Sequence, residues 1–230
     1  LYRSRYIDDA RRACYRGIIA YPYIAELKLI AAETELCHGN FEKGWALFEE
    51  RLDPRMSPKR IALPPLWENW EEDPGHLFIA AEQGIGDEYV FLSFLPLFAE
   101  KVKQLTIECD ERNLPLFTRS FPDHKFVARH IRADEQGRAV FDYSNWPGRQ
   151  DVDHAIFAGS LPGLFVRNAE LPGPYGGYLK VDEMERAAWK AKFDQLSDKP
   201  KVGICWRSGL VTKIRAAYFT SAANMVGALG

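Results

Sequence analysis

Several things are scarce in this chain of 230 residues, and each scarcity narrows its chemistry. Cysteine occurs four times, at Cys14, Cys37, Cys109 and Cys205, and never as a C-x-x-C pair. That spacing suits no zinc site and fits reduced thiols in a cytoplasmic protein. The five histidines, His38, His76, His124, His130 and His154, show no H-E-x-x-H or similar spacing, so no metal is expected. No apolar run approaches the ~20 residues that a membrane-spanning helix needs, and no signal-peptide pattern opens the chain. A formal net charge of −2 gives no electrostatic pull toward nucleic acid or an acidic membrane.

What is present can build a core. Apolar residues make up 47% and charged residues 27% of the chain, enough for one large domain or a domain and a half. The chain opens on Leu1 and closes on SAANMVGALG soon after a strand-like segment, which reads as part of a longer protein.

Residues 1–52 read as helices by periodicity. In IDDARRACYRGIIAYP the small residues Ala10, Cys14 and Gly17 precede Pro22, and Gly44, Phe48 and Arg51 stand 34 residues further on. That offset is the period of a tetratricopeptide repeat, a helical hairpin that stacks on a neighbour to bury its face. Arg51 departs from the pattern, which favours a small residue there. A generic helical hairpin is the plainer reading, and either version leaves an apolar face that must cap something or meet a protein partner. Gly39-Asn40 marks the turn between helices. Residues 53–75 carry Pro54, Pro58, Pro64, Pro65 and Pro74, which forbid both helix and central strand, so an extended connector is expected. Its Trp67 and Trp70 are costly to leave in water.

From His76 the pattern alternates. HLFIAAE (76–82), LTIECD (105–110) and HKFVARHI (124–131) read as strands, with helices at 89–102 and in ERNLPLFTRSF, where Pro115 falls in the first turn. Strand, helix, strand, helix, strand predicts an α/β class with a Rossmann-like parallel sheet over 76–181. EQGRAVFDYSNWPGRQDVD looks like loop, and HAIFAGSLPGLF (154–165) like a strand entering a helix through Gly159-Ser160. Residues 182–230 hold an amphipathic linker helix (182–196), with Ala187, Ala188, Ala191, Phe193 and Leu196 on its buried side. They then hold a strand at 199–206 with a glycine turn, the start of a second α/β domain.

Two glycine turns carry the candidate chemistry. In EQGIGDE, Gly84 and Gly86 bare the backbone at the carboxyl end of a strand, where open α/β sheets bind ligands. Asp87 and Glu88 follow at the helix start. Asp87 serves either as a helix cap worth about 1 kcal/mol or as a general base aimed into a cleft; Gly84, Gly86 and Glu88 would form a loop facing acceptor or phosphate. The turn lacks a Walker lysine, and it is not G-x-G-x-x-G, the second of which argues against an α/β oxidoreductase. In WRSGLVTKIR, Ser208 and Gly209 offer a hydroxyl and an amide to a phosphate. Arg207, Lys213 and Arg215 offer positive charge. A basic surface loop is the plainer alternative.

GNFEKGWALFEERL, PPLW, FIAAEQGIGDEYVFLSFLPLF, GSLPGLF, PYGGYLKVD and KVGICWRSG, in that order, resemble bacterial tetratricopeptide-repeat proteins with a heptosyltransferase-like domain of glycosyltransferase family nine. The resemblance runs from about Ala10 to Arg215. It implies a GT-B fold of two facing Rossmann-like domains and metal-independent transfer of a sugar from a nucleotide-sugar donor to a hydroxyl on a glycan, lipid-linked or protein acceptor. No cofactor is implied beyond that donor. By the same resemblance Asp87 is the base, and Ser208, Gly209 and Lys213 or Arg215 meet the donor phosphates. The donor-binding half is incomplete here, so this stretch alone is expected to be inactive. The competing reading is a non-catalytic interaction module built from the helical repeat and the α/β domain.

Overall fold

The computed structural model of the protein describes residues 6–166, 177–207, 209, 216 and 219–228. The chain divides into a unit ending at Lys180 and a unit beginning at Val181, and each is described by itself. No described helix is long and apolar enough to cross a membrane.

The first unit opens with α1 (Ile7–Ala20), α2 (Ala25–Cys37) and α3 (Phe41–Phe48), and a 3₁₀ turn over Glu49–Leu52 extends α3. α2 packs against both neighbours. Gly44 permits the close approach of α3, because a Cβ there would lie 2.7 Å from Leu36 Cγ. The α2–α3 turn uses Gly39 at φ +76°, while Asn40 keeps φ −81°; glycine alone supplies the left-handed residue. A buried carboxylate locks the three helices. Glu35 accepts hydrogen bonds from Tyr15 (2.5 Å), Asn40 (2.6 Å) and Arg11 (3.0 Å), with Lys43 at 3.3 Å.

The α/β portion follows as β1 (Lys59–Ile61), β2 (His76–Ala80), α4 (Ile85–Phe91), α5 (Leu95–Ala99), β3 (Gln104–Cys109), α6 (Leu114–Ser120), β4 (Lys125–Ala128), β5 (Ile131–Ala133), β6 (Ala139–Asp142), β7 (His154–Phe157) and α7 (Leu161–Val166). The main sheet has the order β4-β3-β2-β7, all parallel. Alternation along each strand sends side chains to opposite faces. Leu77, Ile79, Leu105, Ile107 and Ile156 pack with Phe91, Leu95, Phe98, Phe117 and Phe165 from the helices. Phe78, Ala80, Ala155 and Phe157 pack on Phe141, Tyr143 and Trp146. Both faces are therefore buried, as parallel sheets require.

A small second sheet, β1-β6-β5, pairs β1 with β6 in parallel and β5 with β6 in antiparallel fashion. Here the structure departs from the sequence reading. The strand expected over 124–131 ends at Ala128, because the chain leaves one sheet at Arg129 and enters the other at Ile131. The stretch read as loop contains β6, and the proline-rich connector contains β1. Its Pro65–Trp67 also runs beside β7, where Ala155 N–H donates to Pro65 O at 2.8 Å and Trp67 N–H donates to Ala155 O at 2.9 Å. The helix expected from Tyr89 begins at Ile85, and it breaks into a 3₁₀ turn at Leu92–Phe94 before the proline-bearing start of α5.

The second unit contains α8 (Glu183–Asp194) and α9 (Ala222–Ala228). Asp182 caps α8 by accepting from the Met184 and Glu185 amides at 3.0 and 3.1 Å. No residue of α8 is buried, so the apolar side expected to be covered is open. Residues 201–207 are irregular: the expected strand is not formed, and Trp206 O accepts the Thr220 N–H at 3.3 Å.

Burial alone would raise the Glu35 carboxyl, but the hydrogen bonds from Tyr15, Asn40, Arg11 and Lys43 outweigh it and hold the group at about 2. Because this lies below the unfolded value of about 4.3, Glu35 stabilises the helices above that value and loses this contribution as pH falls toward about 2. Urea unfolding across this window should show stability falling more steeply with acid in the natural protein than in Glu35→Gln. Equal slopes would remove Glu35 from the acid response.

Candidate functional site

The strand order sets where a site belongs. From β2 the chain proceeds to β3 and β4 on one side and then returns to place β7 on the other. The carboxyl ends of the parallel neighbours β2 and β7 therefore lie side by side, facing the crevice in which open α/β sheets place their ligands. Glu82 and Gln83 follow β2 there, and Gly159 and Ser160 follow β7.

That crevice holds a guanidinium from the helical segment. Arg51 Nε donates to Glu82 Oε2 and Arg51 Nη2 to Glu82 Oε1, both at 2.8 Å. The remaining donors reach Ser160 Oγ (2.9 Å), Glu49 Oε1 (2.8 Å) and Phe48 O (3.1 Å). Glu82 Oε1 also accepts the Gly159 N–H at 2.6 Å. The side chains of Arg51 and Glu82 are only 5% and 8% exposed. A two-pronged geometry with every donor used is what makes a buried ion pair tolerable. Gly159 is required by space, since a Cβ there would stand 2.5 Å from Glu82 Oε1.

Two more buried carboxylates fix the neighbouring strand ends. Glu88 accepts from Arg129 Nη2 (2.5 Å), the Asp110 amide (2.8 Å) and Asn113 Nδ2 (2.7 Å). Glu108 accepts from the Ala81 amide (3.0 Å), the His130 amide (2.8 Å) and the Tyr143 hydroxyl (3.0 Å). Arg60 completes the frame by donating to Ala81 O at 2.6 Å and to Tyr143 Oη at 2.7 Å. Burial first, and then the charge of Glu108, pushes the Tyr143 hydroxyl far above its ordinary range, so it stays a donor. Burial likewise pushes the Cys109 thiol up to about 12, aided by Glu88, which leaves it unreactive.

Between these clamps the EQGIGDE turn is bare. Gln83 takes the left-handed φ of +57°, a strained position for a residue with a side chain. Its carbonyl is held by Arg129 Nη1 at 2.9 Å. Gly84 and Gly86 are exposed. A Cβ on Gly86 would meet nothing within 4 Å, so no packing in this unit demands glycine at that position. Asp87 is half-buried; its Oδ2 accepts the Gly84 N–H at 2.8 Å, and its other oxygen has no protein partner among the described residues.

The sequence-derived site residues thus separate into three groups. Gly84, Gly86 and Asp87 share one exposed turn, where Asp87 performs the capping task. Glu88 faces inward with 2% of its side chain exposed; it braces Asp110, Asn113 and Arg129 and is not open to an acceptor or phosphate. Arg207 and Gly209 belong to the second unit and are exposed, while Ser208, Lys213 and Arg215 lie outside the described residues. Sequence reasoning missed Glu82, Glu108, Arg60 and Arg129. Only Arg51, as an oddity in a repeat, and Gly159-Ser160, as a turn after a strand, left a visible signal.

No protein-family model matches the chain, and no solved structure matches it. Protein FlbA of Caulobacter vibrioides is 31% identical over 204 residues, covering 86% of this chain and 34% of FlbA. The chain thus spans about a third of the length of the curated relative it matches.

Replacing Arg51 by Met should strand a buried carboxylate and cost about 3–5 kcal/mol of stability in guanidinium unfolding. Adding Glu82→Leu should recover most of that loss, because an apolar pair leaves no unmatched charge. Additive losses in the double variant would show that the two side chains act independently.

Proposed function

We propose that this chain is the acceptor-side part of a bacterial tetratricopeptide-repeat glycosyltransferase of GT-B type. It would act in the cytoplasm on a nucleotide-sugar donor and a glycan, lipid-linked or protein acceptor. The observation that supports the reading is the pairing of Gly86 with Asp87. A helical glycine costs roughly 1 kcal/mol relative to alanine, and no neighbour explains this one. It keeps the surface beside the Asp87 carboxylate clear, so a substrate hydroxyl can approach. Hydrogen bonding of Oδ2 to Gly84 fixes the carboxylate and leaves the other oxygen for the substrate.

In this reading Asp87 takes the proton of the acceptor hydroxyl. The oxygen attacks the anomeric carbon, and the nucleoside diphosphate leaves with the bonding electrons. Arg207, the hydroxyl of Ser208, the amide of Gly209 and the charge of Lys213 or Arg215 stabilise the departing phosphates without a metal. A second reading draws on Arg51. Because that side chain, Glu49 and Ser160 fill the crevice, the helices and sheet would form a non-catalytic interaction module, with Ile19, Tyr21 and Tyr23 exposed for a protein partner.

The full-length protein should release nucleoside diphosphate from at least one member of a nucleotide-sugar panel in the presence of acceptor. Asp87→Asn keeps an oxygen for the Gly84 amide, so the fold should persist while turnover falls about 100-fold or more. Undiminished turnover in the variant would overturn the assignment of Asp87. Absence of saturable nucleotide-sugar binding would favour the interaction module.

A further inference from the structure

A basic cavity of about 710 Å³ opens between the proline-rich connector and the small sheet. Four cations line it, Arg55, Lys59, Arg60 and Arg138, against one acid, Asp134. Two of the cations are already engaged: Arg55 is paired with Asp53 and Arg138 with Asp134. Lys59 is exposed and has no partner among the described residues. Arg60 is the anchored member. Its guanidinium lies over Phe141 at 4.1 Å and Phe157 at 4.8 Å, and only two of its five N–H groups are taken, by Tyr143 and Ala81 O. Glu108 stands 4.0 Å from it and offsets part of its charge. Lys59 and the open donors of Arg60 still leave the cavity positive.

The walls are apolar where the rim is charged: Leu63, Leu66 and Phe157 form them. Arg60, Ser57 and Ala139 also line an adjoining cavity of about 420 Å³ that reaches Gln83 and Arg129. Arg60 thus lines both cavities, and the larger one forms the groove beside Lys59. An anchored arginine with spare donors, an exposed lysine beside it and an apolar wall suit an oxyanion carried on a small organic body.

We infer that this groove binds a small phosphate ester, its phosphate held by Arg60 and Lys59 and its body lying against Leu63, Leu66 and Phe157. The inference stands apart from the transfer reading, because it concerns binding and makes no use of Asp87.

Calorimetric titration of the protein with glucose 6-phosphate, inorganic phosphate and glucose tests it. Glucose 6-phosphate should bind saturably and more tightly than inorganic phosphate, neutral glucose should not bind, and affinity should fall as salt rises. Arg60→Gln should weaken binding roughly tenfold or more. Because Arg60 also braces Tyr143, the exposed pair Lys59→Gln with Arg138→Gln supplies a second variant without that structural duty, with an expected loss of about fivefold. Asp87→Asn should leave binding unchanged. The inference is overturned if glucose 6-phosphate fails to saturate the natural protein, if inorganic phosphate binds as tightly, or if the double variant binds like the natural protein.

Discussion

The buried pair of Arg51 and Glu82 is the joint on which the first unit depends. Three segments distant in sequence meet at it: the end of the helical hairpin, the exit of β2 and the exit of β7. The bond is two-pronged and water is excluded. A lost partner would therefore leave an uncompensated charge in an apolar setting, which costs far more than a broken surface bridge. The same bond sets the distance between helices and sheet. Gly159 admits no side chain beside it, and Phe48 lies under the guanidinium at 4.6 Å.

Around that joint the carboxyl edge of the sheet is built from alternating carboxylates and guanidinium groups. Glu82 meets Arg51, Glu88 meets Arg129, and Glu108 stands near Arg60. The backbone amides of Ala81, Asp110, His130 and Gly159 use the remaining acceptor capacity. Such satisfaction lets charged groups sit in a core. It also makes the strand exits rigid, so Gln83, Gly86 and Asp87 stand on a fixed frame. Only the outward-facing parts of the glycine turn are left for chemistry, and its inward-facing acid, Glu88, is structural.

Much of the fold was legible because burial imposes a period. The runs 77–80 and 155–157 are apolar because both sheet faces are covered, Leu105, Ile107 and Cys109 alternate with polar residues in β3, and the helices between the strands carry matching apolar faces. The small sheet was hidden because β1 and β5 are three residues each and β5 is exposed throughout, so neither alternation nor a long apolar run marks them. Part of the candidate site was legible for a different reason. Gly86 and Asp87 stand out because glycine next to an acid breaks a helical pattern. The arginine–carboxylate frame was not, because its pairs lie 31, 41 and 48 positions apart: Arg51 with Glu82, Glu88 with Arg129, and Arg60 with Glu108. Nothing local tells a buried glutamate such as Glu108 from an exposed one. The linker helix misled for the opposite reason, since an amphipathic pattern shows that a face wants cover without showing what supplies it.

The span between Arg51 and Ser160 has a consequence for how the chain is made. Ribosomes deliver Arg51 long before its partners: Glu82 emerges 31 residues later and Ser160 109 residues later. The helical hairpin can form early from local contacts, yet its seat on the sheet does not exist until β7 has been translated and threaded beside β2. During that interval a cation and an uncovered apolar flank wait in solvent, and such surfaces attract chaperones. Assembly of this unit is thus paced by its last strand, and a stall in synthesis before β7 would leave the hairpin formed and unseated.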